Sequence, residues 1–434
     1  MSGPGNGFDF EDRIGFGTPG FTESRSADNT TASLEITHDL SDDLVLTSLT
    51  TYALNDTERP SVNQGSDGVT QFIEGFFEQT LFTQEFRLNY TSDKWRNVLG
   101  LYYASEDGEA ANNIVLNPII GLNSSSESEF TNLALFGEVA YSFAPTWEVV
   151  VGGRFDVSDQ EGVLVSGNTF TPTPNVTETS SDEVVLLPKL SISKELTPTD
   201  RLAFTVQRGF RTGGSGIQPL SGDEFFFDPE FTWTYELSYR GSFADDQLSV
   251  NANIFYTDWT DQQVEFFETP GNALTQVTTN SASSRIVGFE LDARLNVTPE
   301  FDLFAGIGYA DTEFEEFIDP RLGDLSENPF PRAPKWNASF GGDYQHTSGF
   351  FAGADLSYSD EYASNLQVDP DFVDPYAIVN AQVGCRTDRW EFALFAENLF
   401  DHEYLLSGDF DSTTDTVGTL GQTRLIGANL TVDF

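Results

Sequence analysis

The chain has 434 residues with 21 basic and 69 acidic side chains, a net charge of −48. That charge repels phosphodiester backbones, which excludes nucleic-acid binding, and a single cysteine, Cys385, excludes an internal disulfide or a Cys-based metal cluster. No apolar run approaches the roughly 18 residues of a transmembrane helix, whereas 39 Phe against 1 Met favours strands.

The opening segment, residues 1–30, reads as the poorly ordered remnant of an extracellular loop. Its start, MSGPGNGFDFEDRIGFGTPGF, has neither the basic n-region nor the apolar h-region of a signal peptide. From Thr31–Leu40 onward the chain alternates apolar and polar residues with period 2, as in Leu133–Tyr141, Trp147–Asp156, Leu248–Asp258 and Val287–Leu295. The final stretch, Leu425–Phe434, sets Ile426, Ala428, Leu430, Val432 and Phe434 on one side and Gly427, Asn429, Thr431 and Asp433 on the other. We expect an all-β protein of about 17 strands, residues 31–434 forming a transmembrane, antiparallel, up-and-down barrel.

The connections point to a membrane rather than a soluble sandwich. Short turns (LSDD, TSDK, FAPT, LTPTD, ADDQ, VTPE, HTSG, TDR) alternate with long polar stretches, the pattern of periplasmic turns and extracellular loops. Trp95, Trp147 and Trp390 follow short turns, and Trp233, Trp259 and Trp336 adjoin long loops, so all six are assigned to the two aromatic girdles. An odd strand count with the last strand ending on the periplasmic side places the first strand's start outside the cell, and the barrel is expected to be incomplete.

Catalytic chemistry finds little support, and the chain is read as a non-enzyme. His38, His346 and His402 lie far apart. Thr212–Gly216, TGGSG, lacks the spacing of a nucleophile elbow, and neither a phosphate loop nor a zinc spacing is present. No cofactor is implied. Asp369, Asp371 and Asp374, or Asp409, Asp411 and Asp415, could supply oxygen ligands for Ca²⁺ but match no EF-hand and read as solvated loop charge.

FALFAENLFDHEYLL followed by GQTRLIGANLTVDF resembles the C-terminal part of TonB-dependent outer-membrane receptors. So do LPKLSISKELTPTDRLAFTVQRGFRTGG, FDPEFTWTYELSYRGSFADDQLSVNANIFYTDWTDQQV, RIVGFELDARLNVTPEFDLFAGIGYADTEFEEF, FPRAPKWNASFGGDY, and TQEFRLNY before WRNVLGLYYASED. The likeness covers residues 30–434 and implies a 22-stranded barrel filled by a plug. About 17 of those strands are expected here, with plug and TonB box absent. The resemblance further implies a Gram-negative outer-membrane location, uptake of a scarce nutrient such as a ferric siderophore complex, and contact with TonB only through the missing plug region. It also implies lipid and the barrel-assembly machinery as partners, with Leu430, Val432 and Phe434 as the assembly signal. Ligand contact is expected at the loops and the lumen face beside them. Candidates are Phe76 and Phe77, Phe225, Phe226 and Phe227, Phe266 and Phe267, and Arg208 and Arg211, which could pair with an anionic chelate. A passive pore or structural barrel is the competing class, and an outer-membrane hydrolase the third.

Overall fold

The computed structural model describes residues 24–433, apart from 65–69, 117–119, 170–172, 219–220, 222, 269–274, 282, 320–321 and 410–416. Phe434 and most of the predicted N-terminal remnant therefore lie outside the described residues.

One antiparallel sheet holds 17 strands. They are β1 (Ser26–Ser41), β2 (Leu44–Gln64), β3 (Thr70–Thr91), β4 (Trp95–Leu116), β5 (Ile120–Ala144), β6 (Trp147–Asn168), β7 (Asn175–Thr197) and β8 (Asp200–Arg211). The rest are β9 (Glu230–Phe243), β10 (Leu248–Thr260), β11 (Ser283–Thr298), β12 (Phe301–Glu316), β13 (Trp336–Gln345), β14 (Phe350–Ser359), β15 (Tyr376–Arg386), β16 (Trp390–Glu397) and β17 (Leu425–Val432). Each pairs with its neighbour in the chain, so the sheet is a continuous meander. Among the described residues no ladder joins β1 to β17. The barrel is thus incomplete, with two open edges. β1 already begins at Ser26, so the first strand takes in residues assigned to the loop remnant.

The period-2 pattern sorts side chains to the two faces. Leu133, Leu135 and Val139 on β5, Val151, Phe155 and Val157 on β6, and Val184, Leu186 and Leu190 on β7 are all exposed on one face. Asn132, Arg154 and Asp156 hydrogen-bond to one another on the other. An exposed apolar face of this extent requires hydrocarbon as its solvent, with a polar lumen behind it. On β9 that face runs from Phe243 near the turn to Trp233 near the loop, about ten residues or roughly 33 Å of strand. Tilted, that covers the about 25 Å band of an outer-membrane barrel.

Two expectations need correction. The long polar stretches preceding TSDK, FAPT and LTPTD are not loops: β2 to β7 run for 21, 22, 22, 25, 22 and 23 residues. A span needs only about 9–11. The excess continues the same ladders beyond the membrane, because alternating Thr, Ser, Glu and Val there satisfy a solvated strand as well as a loop. Phe76 and Phe77 consequently sit within β3, paired with Glu58 and Thr57. Consecutive strand residues point to opposite faces. Phe76 shares the outward face of Phe82 and Phe86, and only Phe77 faces inward.

The second correction concerns Trp259. Trp95, Trp147 and Trp390 at the turn ends, and Trp233 and Trp336 at the loop ends, share parity with the outward apolar residues of their strands. There Trp95 stacks on Tyr141 with ring centroids 4.2 Å apart, and Trp336 packs on Tyr309 at 4.8 Å. Trp259 has the opposite parity from Ile254 and Tyr256. It turns inward and meets Phe330 edge-on at 6.1 Å.

A recurrent device shapes the lumen wall. Phe136, Phe255, Phe304, Phe351 and Phe395 stand directly across the ladder from Gly100, Gly288, Gly341, Gly384 and Gly427. In each case a Cβ on the glycine would run into the phenyl ring. The ring lies flat over the bare backbone, which covers the weak point that glycine leaves in a strand.

Gly427→Val or Gly384→Val should cost about 1–3 kcal/mol through overpacking, measured by urea unfolding of folded protein in detergent. Gly308→Val, at a position with no neighbouring atom within 4 Å, should be close to neutral. In vesicles of brominated lipid, Trp336→Phe should remove a share of the fluorescence quenching, and Trp259→Phe should leave it unchanged.

Candidate ligand vestibule

Above β8 to β17 the chain folds into short hairpins and not into open loops. Gly214–Ile217 pairs with Glu224–Phe227, and Gln263–Phe267 with Gln276–Asn280. Tyr362–Ala363 pairs with Phe372–Val373, and Leu405–Asp409 with Val417–Leu420. Between them lies a small hydrophobic core built from Val264, Phe266, Val277, Phe314, Phe317, Leu325, Phe330 and Leu366. Phe314 is its centre, 4.7 Å from Phe330 and 5.1 Å from Phe317 between ring centroids. A second cluster joins Tyr362, Val373 and Leu405. There Tyr362 Oη donates to the Leu406 carbonyl at 2.8 Å, and burial pushes its phenol above the usual range, keeping it a donor.

A polar knot ties this cap to the strand ends. Arg211 Nε meets Glu230 Oε1 at 2.8 Å, and the Gln263 amide N–H donates to Glu230 Oε2 at 2.6 Å. Gln263 Nε2 donates to the Thr212 carbonyl at 2.7 Å, and Asn280 Nδ2 to the Asp261 carbonyl at 2.7 Å. The cap is therefore held by both apolar burial and a set of partly buried hydrogen bonds, a combination that favours a single conformation.

Below the cap the lumen wall is polar. Arg96 and Arg201 share Glu148 at 2.6 and 2.7 Å, Arg154 pairs with Asp156 at 2.7 Å while lying 5.1 Å over the Tyr102 ring, and Lys189 reaches Glu138 at 2.8 Å. A groove of about 940 Å³ follows the inner face of β12 to β17, with Asp343, Asp355, Asn380, Gln382, Glu397 and Tyr404 on its walls. Its size suits a small-molecule ligand.

A family model described as "TonB dependent receptor-like, beta-barrel" matches residues 2–399. The chain belongs to this family of TonB-dependent receptor barrels. Among curated proteins it is similar to a probable TonB-dependent siderophore receptor, PiuA, of Acinetobacter baumannii, 25% identical over 201 residues, covering 44% of this chain and 26% of that protein. Among solved structures, the ferric yersiniabactin uptake receptor FyuA of Yersinia pestis aligns with TM-score 0.79 at 20% identity, covering 94% of this chain and 61% of that one. The A. baumannii PiuA structure aligns with TM-score 0.74 at 17% identity, over 94% and 64%. At those identities the structural likeness speaks for the fold. The chain spans less than two thirds of each relative.

Within this receptor barrel the predicted ligand residues do not gather at one place. Phe266 is 5% exposed at the heart of the cap, while its neighbour Phe267 is exposed. Phe225 and Phe227 cover Gly216 and Gly214, which gives TGGSG a structural role, and Phe226 points away at 62% exposure. Arg211 is taken by Glu230, and Arg208, three residues earlier, has opposite parity and faces outward. The pair cannot clamp one chelate. The histidines stay apart: His346 Nδ1 lies 2.8 Å from Ser348 Oγ, and His402 stacks on Tyr404. Asp371 accepts from Asn365 Nδ2 at 3.0 Å, while Asp411 and Asp415 lie outside the described residues.

The cap core was not foreseen. Phe314 comes from the end of β12 and Val264, Phe266 and Val277 from a loop hairpin, while Phe317, Leu325 and Phe330 follow no strand or helix period; the only signal of these last three is apolar density in a stretch otherwise read as a loop.

Phe330→Ala should destabilise the cap locally by about 3–5 kcal/mol. Limited proteolysis should then cut within residues 317–335 while the strands β1 to β17 stay intact.

Proposed function

We propose that the chain is the ligand-capturing barrel of a receptor that takes up a ferric siderophore complex across the outer membrane of a Gram-negative bacterium. The observation that carries this reading is the folded cap set over a polar lumen. A passive pore gains nothing from an eight-residue apolar core at its mouth, whereas a capture site needs rigid walls that present a few exposed apolar groups. Phe77, Phe226 and Phe267 are the exposed aromatics nearest that role, and the groove beside Asn380, Gln382 and Tyr404 offers polar anchors. Membership of the family and the likeness to a probable siderophore receptor support the class of ligand. Coupling to TonB belongs, in this reading, to a plug and not to the strands described. Leu430 and Val432, outward on β17 opposite Phe392 and Trp390, serve as the part of the assembly signal within the described residues. The chain performs no catalysis in this reading.

Titrating the purified, folded chain with a panel of ferric siderophores should quench its tryptophan fluorescence saturably for at least one member. Phe226→Ala and Phe267→Ala should each weaken binding by about 1 kcal/mol or more. A large steady current in planar bilayers with no ligand-dependent quenching would instead identify a passive pore.

A further inference from the structure

We propose that Arg208 forms a contact site for a phosphate-bearing anionic lipid of the outer leaflet. On β8 it has the parity of Phe204, which is exposed on the outward face, and it stands directly across the ladder from Trp233. Trp233 marks the loop-side girdle, the level at which headgroups begin. Arg208 is therefore placed at phosphate height on the lipid side of the sheet, not in the lumen.

Its geometry is fixed before any lipid arrives. The guanidinium lies 4.2 Å from the centroid of the Phe231 ring, which packs on Phe210 at 5.4 Å. Nη1 donates to the Leu186 carbonyl at 3.3 Å, while Nε is buried with no partner. No carboxylate pairs with it among the described residues. A cation held flat on an aromatic, with its exposed Nη edge free of any carboxylate among the described residues, is pre-organised for a phosphate oxygen, which the buried Nε cannot reach.

The surroundings on the same face make this position distinctive. Arg285, the other strand cation facing outward on the loop side, is surrounded by Asp311, Glu313 and Glu315 at 4.0, 2.5 and 3.6 Å. Lys335 is engaged by Asp311 at 2.7 Å, a hydrogen bond that raises its pKa. Across β4 to β7, just beyond the apolar band, carboxylates stand opposite one another: Asp107 with Glu129, Glu129 with Glu161, and Asp159 with Asp182. A lipid phosphate is repelled along that sector and meets an unneutralised cation at Arg208.

Native mass spectrometry of the full chain in detergent, titrated with phosphatidylglycerol, phosphatidylcholine and inorganic phosphate, tests the proposal. Phosphatidylglycerol should be preferred over phosphatidylcholine, and Arg208→Gln should cut the preference about fivefold. Arg208→Lys should retain part of it, and Arg240→Gln, an equal loss of charge on the lumen face, should leave it intact. On the unaltered chain the preference should weaken as salt rises, a check that needs no variant to fold. Equal binding of the two lipids, a preference unchanged in Arg208→Gln, or insensitivity to salt overturns the site. Displacement of the lipid by inorganic phosphate at matched concentration overturns its assignment to lipid.

Discussion

In hydrocarbon a peptide group has no water to fall back on, and an unmade backbone hydrogen bond costs several kcal/mol. The rest of the structure depends on meeting that constraint. The chain does so by an unbroken meander in which each strand finds its partner next in sequence, so that each of β2 to β16 has a partner strand on both sides over its turn-side part. Short turns on one side keep register tight, and alternation delivers mostly apolar side chains to lipid and mostly polar ones to the lumen, the inward phenylalanines that cover glycines being the recurrent departure. The two terminal strands show the same constraint by contrast. β1 is exposed along all 16 of its residues, and Ile426 on β17 is 69% exposed. Those edges carry unpaired backbone groups in a region that tolerates none.

Phenylalanine and glycine, with 39 and 37 residues, divide the labour of the wall. Outward phenylalanines supply area to lipid; inward ones lie across glycines in the neighbouring strand and turn a flexible position into a packed one. The inner charges meet a comparable need. Arg154, Lys189 and Arg201 each sit within reach of a carboxylate, so a strongly acidic chain carries a lumen wall of neutralised pairs. Surface pairs of this kind contribute modestly to stability. Their larger effect is to leave few free cations facing the lumen for an anionic ligand.

Much of the fold was legible because a period of 2 is the simplest pattern a sequence can show. The strands followed from period-2 stretches such as Val287 to Leu295 and their order from the short turns between them, whereas the long connections expected before TSDK, FAPT and LTPTD proved to be strand. The same rule, pressed further, would have corrected several site assignments. Phe76 and Phe77 are adjacent and so cannot share a face. Arg208 and Arg211 are an odd number apart with the same result, and Trp259 falls out of step with Ile254 and Tyr256. What parity could not reveal is where a strand stops when its polar continuation is as regular as its membrane part, as in β5. Nor could it reveal the cap, whose core joins Val264, Leu325 and Leu366 across more than a hundred residues of sequence. Such a core is written in three dimensions only, since loop hairpins from separate strand ends bring its members together.

The six long strands, β2 to β7, have one further effect on how anything large can approach. With about half of each ladder devoted to crossing the membrane, the remainder of β5 rises as a stiff palisade some 35–45 Å tall. The opposite rim, over β8 to β17, is closed by a low, knotted roof. A bulky visitor from outside meets a wall on one flank and a doorstep on the other, and the easy line of entry is slanted rather than vertical.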